Sequence, residues 1–275
     1  MKCNEKYDVA QSIKEANKSY GEVYYNKSHV SKEATSIAHT CLTVRSRKFI
    51  LDNVIGTKIL ETCCAQGTTA SWLVEVGYDP ICFDISPDSI RSFKEHHPHI
   101  RPPFLADAER LPLKNNTFDT VIFNGALHHL PSPRRGLSEA YRVLKNGGRV
   151  IICEPNNYHS RLARSMVHPK SICNIWNREG LENDGDDRWI KPGVMDTEIS
   201  LPYVLRVAKS VGLEVLSIHT CDIAVLPYRL FNPDPTLSTW TRLEKLDFIL
   251  KHIPVINRCG ETMNICLSKA VKKRD

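Results

Sequence analysis

Acids and one amide end the apolar runs of this chain, where a strand would ordinarily carry a neutral residue. Glu61 closes "KILE", Asp84 closes "ICFD", Asn124 closes "FDTVIFN", Glu154 closes "RVIICE", and Asp107 follows "FLA". A carboxylate can accept two hydrogen bonds side by side, so an acid at a strand end can hold both hydroxyls of a ribose. Asp84 is placed for that role, about 20 residues past the first strand-to-helix turn. Asp107, in "LADAERLPL", can accept from an adenine amino group while the backbone of Ala108 meets the ring edge. After Asn124 comes "GALHHL", and its His128 and His129 are of the type that takes up a proton near neutral pH. Either can act as general base toward a reacting hydroxyl, with His129 the first candidate. His159 and His168 are weaker candidates, and "HHPH" at 96–99 reads as a surface turn on the far side of the sheet.

These residues share one side only if strands and helices alternate, and from Lys58 they do. Strands are expected at Lys58–Thr62, Ile81–Asp84, Phe104–Leu105, "FDTVIFN", "RVIICEP", "EVLSIHTCDI" and "ETMNICLSKA". Between them lie helical patterns: Gly67–Val76, with Ala70, Leu73 and Val74 on its apolar face, and a helix opened by Ser86-Pro87-Asp88 and stopped by Pro98. Further helices are expected at Pro133–Leu144, closed by "KNGG", at Leu201–Val211, and at Thr239–His252, with Trp240, Leu243, Leu246, Ile249 and Leu250 on one side. The expected fold is α/β: a Rossmann-like seven-stranded sheet with helices on both faces. Residues 1–55 read as an N-terminal helical cap with a Tyr-rich break at Tyr20, Tyr24 and Tyr25, and 56–275 as the ligand-binding domain. Segment 156–200, which carries Trp176 and Trp189, reads as a lid insert, and 224–258 as a second insert. In an open parallel sheet, ligands bind beyond the carboxyl ends of the strands, where all the acids above fall.

The turn "ETCCAQGTT" narrows the ligand. A dinucleotide site uses glycines so that backbone can approach a pyrophosphate, yet Cys63 and Ala65 stand where Gly would be usual, followed by Gly67. A P-loop is excluded, because no phosphate-binding Lys follows. S-adenosylmethionine (SAM) has no phosphate; it needs a tight, small-residue turn beside its methionine portion and acids for its ammonium group.

At this point the chain resembles the class I SAM-dependent methyltransferases of the type 11 group, the broad family of the ubiquinone and menaquinone methyltransferases. The motifs are "ILETCCAQGTTA", "GYDPICFDISPDSI", "ADAERLPLKNNTFDTVIFNGALHHL" and "EAYRVLKNGGRVIICEPN", in the family's order and spacing. The resemblance implies that Glu61 and the turn at Cys63, Ala65 and Gly67 meet the methionine portion. It also implies Asp84 on the ribose, Ile85 against adenine, Asp107 and Ala108 at the adenine edge, and Asn124 near the amino-acid tail. The family pattern reads G-x-G-x-G or G-x-A-x-G, so Cys63 departs from it, at a cost of ~1 kcal/mol if it takes a positive φ. The activity implied is methyl transfer from SAM, with S-adenosylhomocysteine (SAH) as product, to an oxygen or nitrogen of a small-molecule acceptor. A non-catalytic subunit of the same fold and an RNA or protein methyltransferase are the competing readings.

Composition excludes several classes. No apolar run approaches the ~18 residues of a membrane span, and no apolar segment follows the N-terminus, so a cytoplasmic location is expected. The net charge of +6 is spread along the chain without a dense basic patch, which argues against nucleic acid as a partner. The 10 cysteines show neither CxxC nor zinc spacing, so no metal is expected and most read as reduced, buried residues. "ENDGDD" at 182–187 lacks the spacing of a calcium loop. Oligomeric state is open between monomer and homodimer.

Overall fold

The structure, a computed structural model, describes residues 37–156, 199–221, 223–224, 237–250, 252–253, 260 and 262–271. The Tyr-rich break, His159, His168, Trp176, Trp189, "ENDGDD" and most of both expected inserts lie outside the described residues.

The strands are β1 (Ile59–Thr62), β2 (Ile81–Asp84), β3 (Phe104–Leu105), β4 (Phe118–Asn124), β5 (Leu144–Pro155), β6 (Leu213–Cys221) and β7 (Thr262–Lys269). They form one seven-stranded sheet in the order β3-β2-β1-β4-β5-β7-β6. All pairs are parallel except those of β7, which runs antiparallel to both β5 and β6. The helices are α1 (Ile37–Asn53), α2 (Thr68–Glu75), α3 (Pro87–His96), α4 (Pro133–Val143), α5 (Leu201–Ser210) and α6 (Leu237–Leu250). The chain builds outward from β1 in one direction and resumes at β4 in the other. The switch point therefore lies between the carboxyl ends of β1 and β4, which is the expected crevice.

Alternation along the strands fills both faces. Leu60, Val121, Phe123, Val150 and Ile152 point to the side covered by α4 and α5. Ile59, Ile122 and Ile151 point to the other, where Phe49, Ile50 and Val54 from the α1 end pack with Trp72 and Leu73 of α2. All of these side chains are buried. Burial on both faces is what a central parallel sheet demands and why its strands read as continuous apolar runs.

One element differs from expectation. "KNGG" does not close α4; the chain passes from Val143 directly into β5, with a register shift opposite Phe118 and Thr120. Gly148 is required there, because a Cβ would lie 2.9 Å from the Asp119 carbonyl oxygen. Along α6, Leu246 and Ile249 are exposed, while Leu243 and Leu250 are half-buried. The helix is tied by Asp247, which accepts the N–H groups of Ile223 at 3.1 Å and Ala224 at 2.7 Å, just past β6. Among the described residues, no helix is long and apolar enough to cross a membrane.

Candidate active site

The turn after β1 is built from left-handed backbone. Cys63 has φ 49°, Ala65 φ 44° and Gly67 φ 87°. Each of the two non-glycine residues costs about 1–2 kcal/mol in that conformation. The turn is held by Cys64 N–H on the Phe83 carbonyl (3.0 Å), Gly67 N–H on the Cys64 carbonyl (2.8 Å) and Ala65 N–H on Asp84 Oδ2 (3.0 Å). The surviving glycine has a second reason to be one. A Cβ on Gly67 would fall 2.6 Å from the Phe93 ring and 2.9 Å from the His97 ring. His97 thus lies under the turn, where it also hydrogen-bonds the Gln66 backbone. His97 is the one departure from the expected surface turn at 96–99: His96, Pro98 and His99 are exposed, while His97, just past the end of α3, is half-buried and folds back against Phe93.

Asp84 is buried, with Ser86 N–H on Oδ1 at 2.8 Å. Burial raises its carboxyl pKa, while the N–H groups of Ser86, Ala65 and Ile85 and the nearby His129 pull it down. Glu61, also buried, is pushed up to about 8 by desolvation, against hydrogen bonds from Cys82 and Thr69. Cys82 Sγ lies 3.3 Å from Glu61 Oε2, and Asn124 Nδ2 donates to Thr69 Oγ1 at 2.9 Å. Asn124 and Glu61 are thereby joined through Thr69 at the start of α2. The Cys63 thiol is held protonated by burial and by the surrounding Asp84, Glu154, Asp107 and Glu61. Asp84, Glu154, Asp107 and Glu61 thus lie close enough to the turn to act on the Cys63 thiol.

Asp107 Oδ1 accepts from Glu109 N–H at 2.9 Å, and Ala106 N–H binds the Asp84 carbonyl at 3.0 Å, so the β3 loop sits beside β2. Ala108 is buried and Ile85 half-buried. Glu139 and Arg142 of α4 hold the rest of this loop through Leu111 and Leu113.

Leu127–His129 form a 3-10 turn beyond β4. Glu154 Oε1 accepts Ala126 N–H at 2.8 Å and Leu127 N–H at 2.6 Å, and Glu154 Oε2 lies 2.6 Å from His128 Nδ1. A carboxylate only accepts, so His128 donates from Nδ1, which leaves Nε2 as the acceptor nitrogen of the neutral ring. The two imidazoles lie 4.0 Å apart. Glu154 is the partner that sequence reasoning missed: it was visible as a strand-end acid, but not as the residue that orients His128.

The expected residues therefore gather at the carboxyl ends of β1 to β5, around the switch point. They fit SAM by the chemistry of the donor set. The turn carries small side chains and left-handed backbone, acids lie close to it, and Gly125, at φ 62°, has open space where a Cβ would stand. Among the described residues, no cluster of His, Cys, Asp and Glu could hold a metal ion.

Fold and site together define a nucleoside-binding α/β domain of the methyltransferase type, and comparison with known proteins agrees. The type 11 family model, described as a methyltransferase domain, matches residues 60–152. The phthiotriol/phenolphthiotriol dimycocerosates methyltransferase of Mycobacterium leprae is 35% identical over 196 residues, covering 66% of this chain and 70% of that protein. The demethylmenaquinone methyltransferase of Streptomyces griseus subsp. griseus is 34% identical over 126 residues, 46% of this chain and 54% of that protein. The chain thus spans about half the length of the demethylmenaquinone methyltransferases it matches. The crystal structure of the 4+2 cyclase SpnF matches at a TM-score of 0.60 over 94% of this chain and 97% of that one, with 15% identity, a likeness of fold. The chain belongs to the class I SAM-dependent methyltransferase family, type 11 group.

Proposed function

We propose that this protein binds SAM and transfers its methyl group to an oxygen or nitrogen of a small-molecule acceptor. The observation that carries this reading is the contact of His128 Nδ1 with the buried Glu154 Oε2 at 2.6 Å, beside the turn after β1. SAM, when bound, supplies an electrophilic methyl on a sulfonium, so the protein's part is alignment, exclusion of water and proton removal. Asp84 is assigned to the ribose hydroxyls, Ile85 to an adenine face, and Asp107 with Ala108 to the adenine edge. Glu61, Asn124 and the backbone of Cys63, Ala65 and Gly67 are assigned to the methionine portion. His128 is assigned as the base: Nδ1 is committed to Glu154, and Nε2 takes the proton of the acceptor. Glu154 then stabilises the imidazolium. His129, its ring tilted against that of His128, is the second candidate for the same proton.

Two relatives are named for demethylmenaquinone and for phthiotriol/phenolphthiotriol dimycocerosates, and acceptors of those kinds are the first to test. The experiment is calorimetry with SAH, followed by transfer of labelled methyl from SAM to a panel of such acceptors. Heat with SAH and transfer that falls in His128→Ala are expected. An absence of heat with SAH sinks the cofactor reading. Transfer unchanged in both His128→Ala and His129→Ala sinks the acid–base assignment.

A further inference from the structure

Glu109 lies two residues past Asp107 and touches both sides of the site. Its backbone N–H donates to Asp107 Oδ1 at 2.9 Å and so sets the direction of that carboxylate. Its side chain, 2% exposed, accepts the Ser132 backbone N–H on Oε1 at 2.6 Å. Ser132 stands between Pro131 and Pro133, which have no N–H, so Glu109 takes the one backbone donor those residues offer. Ser132 is also the N-cap of α4, its Oγ accepting from Arg135 N–H at 3.3 Å. A carboxylate there is favoured by the helix dipole.

The path from Ser132 back to His129 has no slack. His129 N–H is bound to the Ala126 carbonyl and Leu130 N–H to the Leu127 carbonyl, both at 3.2 Å. Leu130 and Pro131 are buried. Leu130 Cδ1 presses on α4 at Gly136, where a Cβ would come within 2.4 Å of it. On the other side, Leu111 N–H is fixed on Glu139 Oε2 at 2.7 Å, and the Leu111 and Leu113 carbonyls are fixed on Arg142 at 3.0 and 2.7 Å. Between these anchors, Glu109 is the side chain that joins the β3 loop directly to the exit of the histidine turn.

We propose that Glu109 is a positioning residue that couples the adenine end of the site to the His128–His129 turn, an inference that rests on the cofactor reading above. When Asp107 is drawn to a base, the Glu109 backbone moves with it and its carboxylate carries the shift to Ser132. The histidine turn, already formed in the ligand-free protein, is thereby shifted when the adenine end is filled.

The test uses adenosine, which carries the adenine and ribose but no amino-acid tail, alongside SAH. Imidazole nitrogen signals are recorded on histidine-labelled protein, with His128 assigned by its loss in His128→Gln. In the native protein, adenosine should shift or sharpen the His128 signal. In Glu109→Ala, adenosine should leave that signal unmoved and SAH affinity should fall about tenfold. Glu109→Gln, whose carbonyl can still accept from Ser132, should restore the response. If Glu109→Ala does not fold, Glu109→Asp, too short to reach Ser132, gives the same reading. An equal His128 response in native protein and in the Ala or Asp variant overturns the coupling. A native protein that binds neither SAH nor adenosine overturns the cofactor reading, and the coupling with it.

Discussion

His128 Nδ1 and Glu154 Oε2 stand 2.6 Å apart, and the other Glu154 oxygen is already engaged by the Ala126 and Leu127 N–H groups. One buried carboxylate therefore shapes the backbone of the turn and fixes the tautomer of its first histidine. Glu154→Gln separates the two tasks. The amide oxygen can keep the backbone bonds, but the amide N–H then faces Nδ1 and moves the ring proton to Nε2. Turnover should fall roughly 10²–10⁴-fold, the range for losing a general base, while SAH affinity changes less than tenfold. Steady-state kinetics with calorimetry reads both; native turnover in this variant leaves His128 without a role as base.

Asp84→Ala should weaken SAH binding by roughly 1.5–3 kcal/mol, the usual range for lost charged hydrogen bonds. The same carboxylate holds Ala65 N–H and Ser86 N–H, so part of the loss reflects a loosened turn. Asp84→Asn, which can keep one of those bonds, should recover part of the affinity. Unchanged calorimetric affinity in Asp84→Ala moves the ribose away from β2.

Cys63→Gly relieves a left-handed residue and should leave SAH affinity unchanged or improved, with stability unchanged to ~1 kcal/mol higher. Ala65→Val places a β-branched side chain at φ 44° and should destabilise by at least ~1 kcal/mol. Gly67→Ala should be worse than either, because its Cβ would also meet Phe93 and His97. Urea denaturation ranks the three, and a Gly67→Ala protein as stable as the native one removes the steric argument.

Glu61 gives the protein a pH dependence of definite sign. Its folded pKa of about 8 lies above the ordinary 4.5 of a free glutamate, so between those values the folded state keeps a proton that the unfolded state has lost. Its contribution is complete below pH 4.5 and is lost as pH rises to about 8. Stability of the ligand-free protein should fall across that window, and Glu61→Gln should flatten the slope. If a ligand ammonium meets Glu61, binding should release a proton near pH 7. Calorimetry in buffers of different ionisation heat measures that proton, and zero release detaches Glu61 from the ligand.

The strands were legible because each is a short apolar run ended by an acid, an amide or a turn, and Ser86-Pro87 marked α3 by capping chemistry alone. Cys63 was legible as a departure from glycine, and its positive φ, a condition in the sequence, is met in the structure. What could not be read were contacts made across long separations. Glu154 reaches Ala126 across 28 residues, Glu109 reaches Ser132 across 23, and His97 comes under Gly67 from the far end of α3. No local pattern encodes such pairs, because register and helix packing decide them.

The carboxyls around Cys63 have a further consequence, for the adenine nucleotides that crowd any cell. ATP and NAD carry the same adenine and ribose that the proposed function assigns to Asp107 and Asp84, yet they would bring phosphates to the place assigned to the methionine portion. On the proposed placement of SAM, those phosphates would come against Asp84 and Asp107 and against a turn that carries side chains at Cys63 and Ala65 where a phosphate site uses glycine. Under the proposed function, the residues that strain the turn would also screen it, setting a sulfonium apart from a polyphosphate by charge and bulk at the same spot.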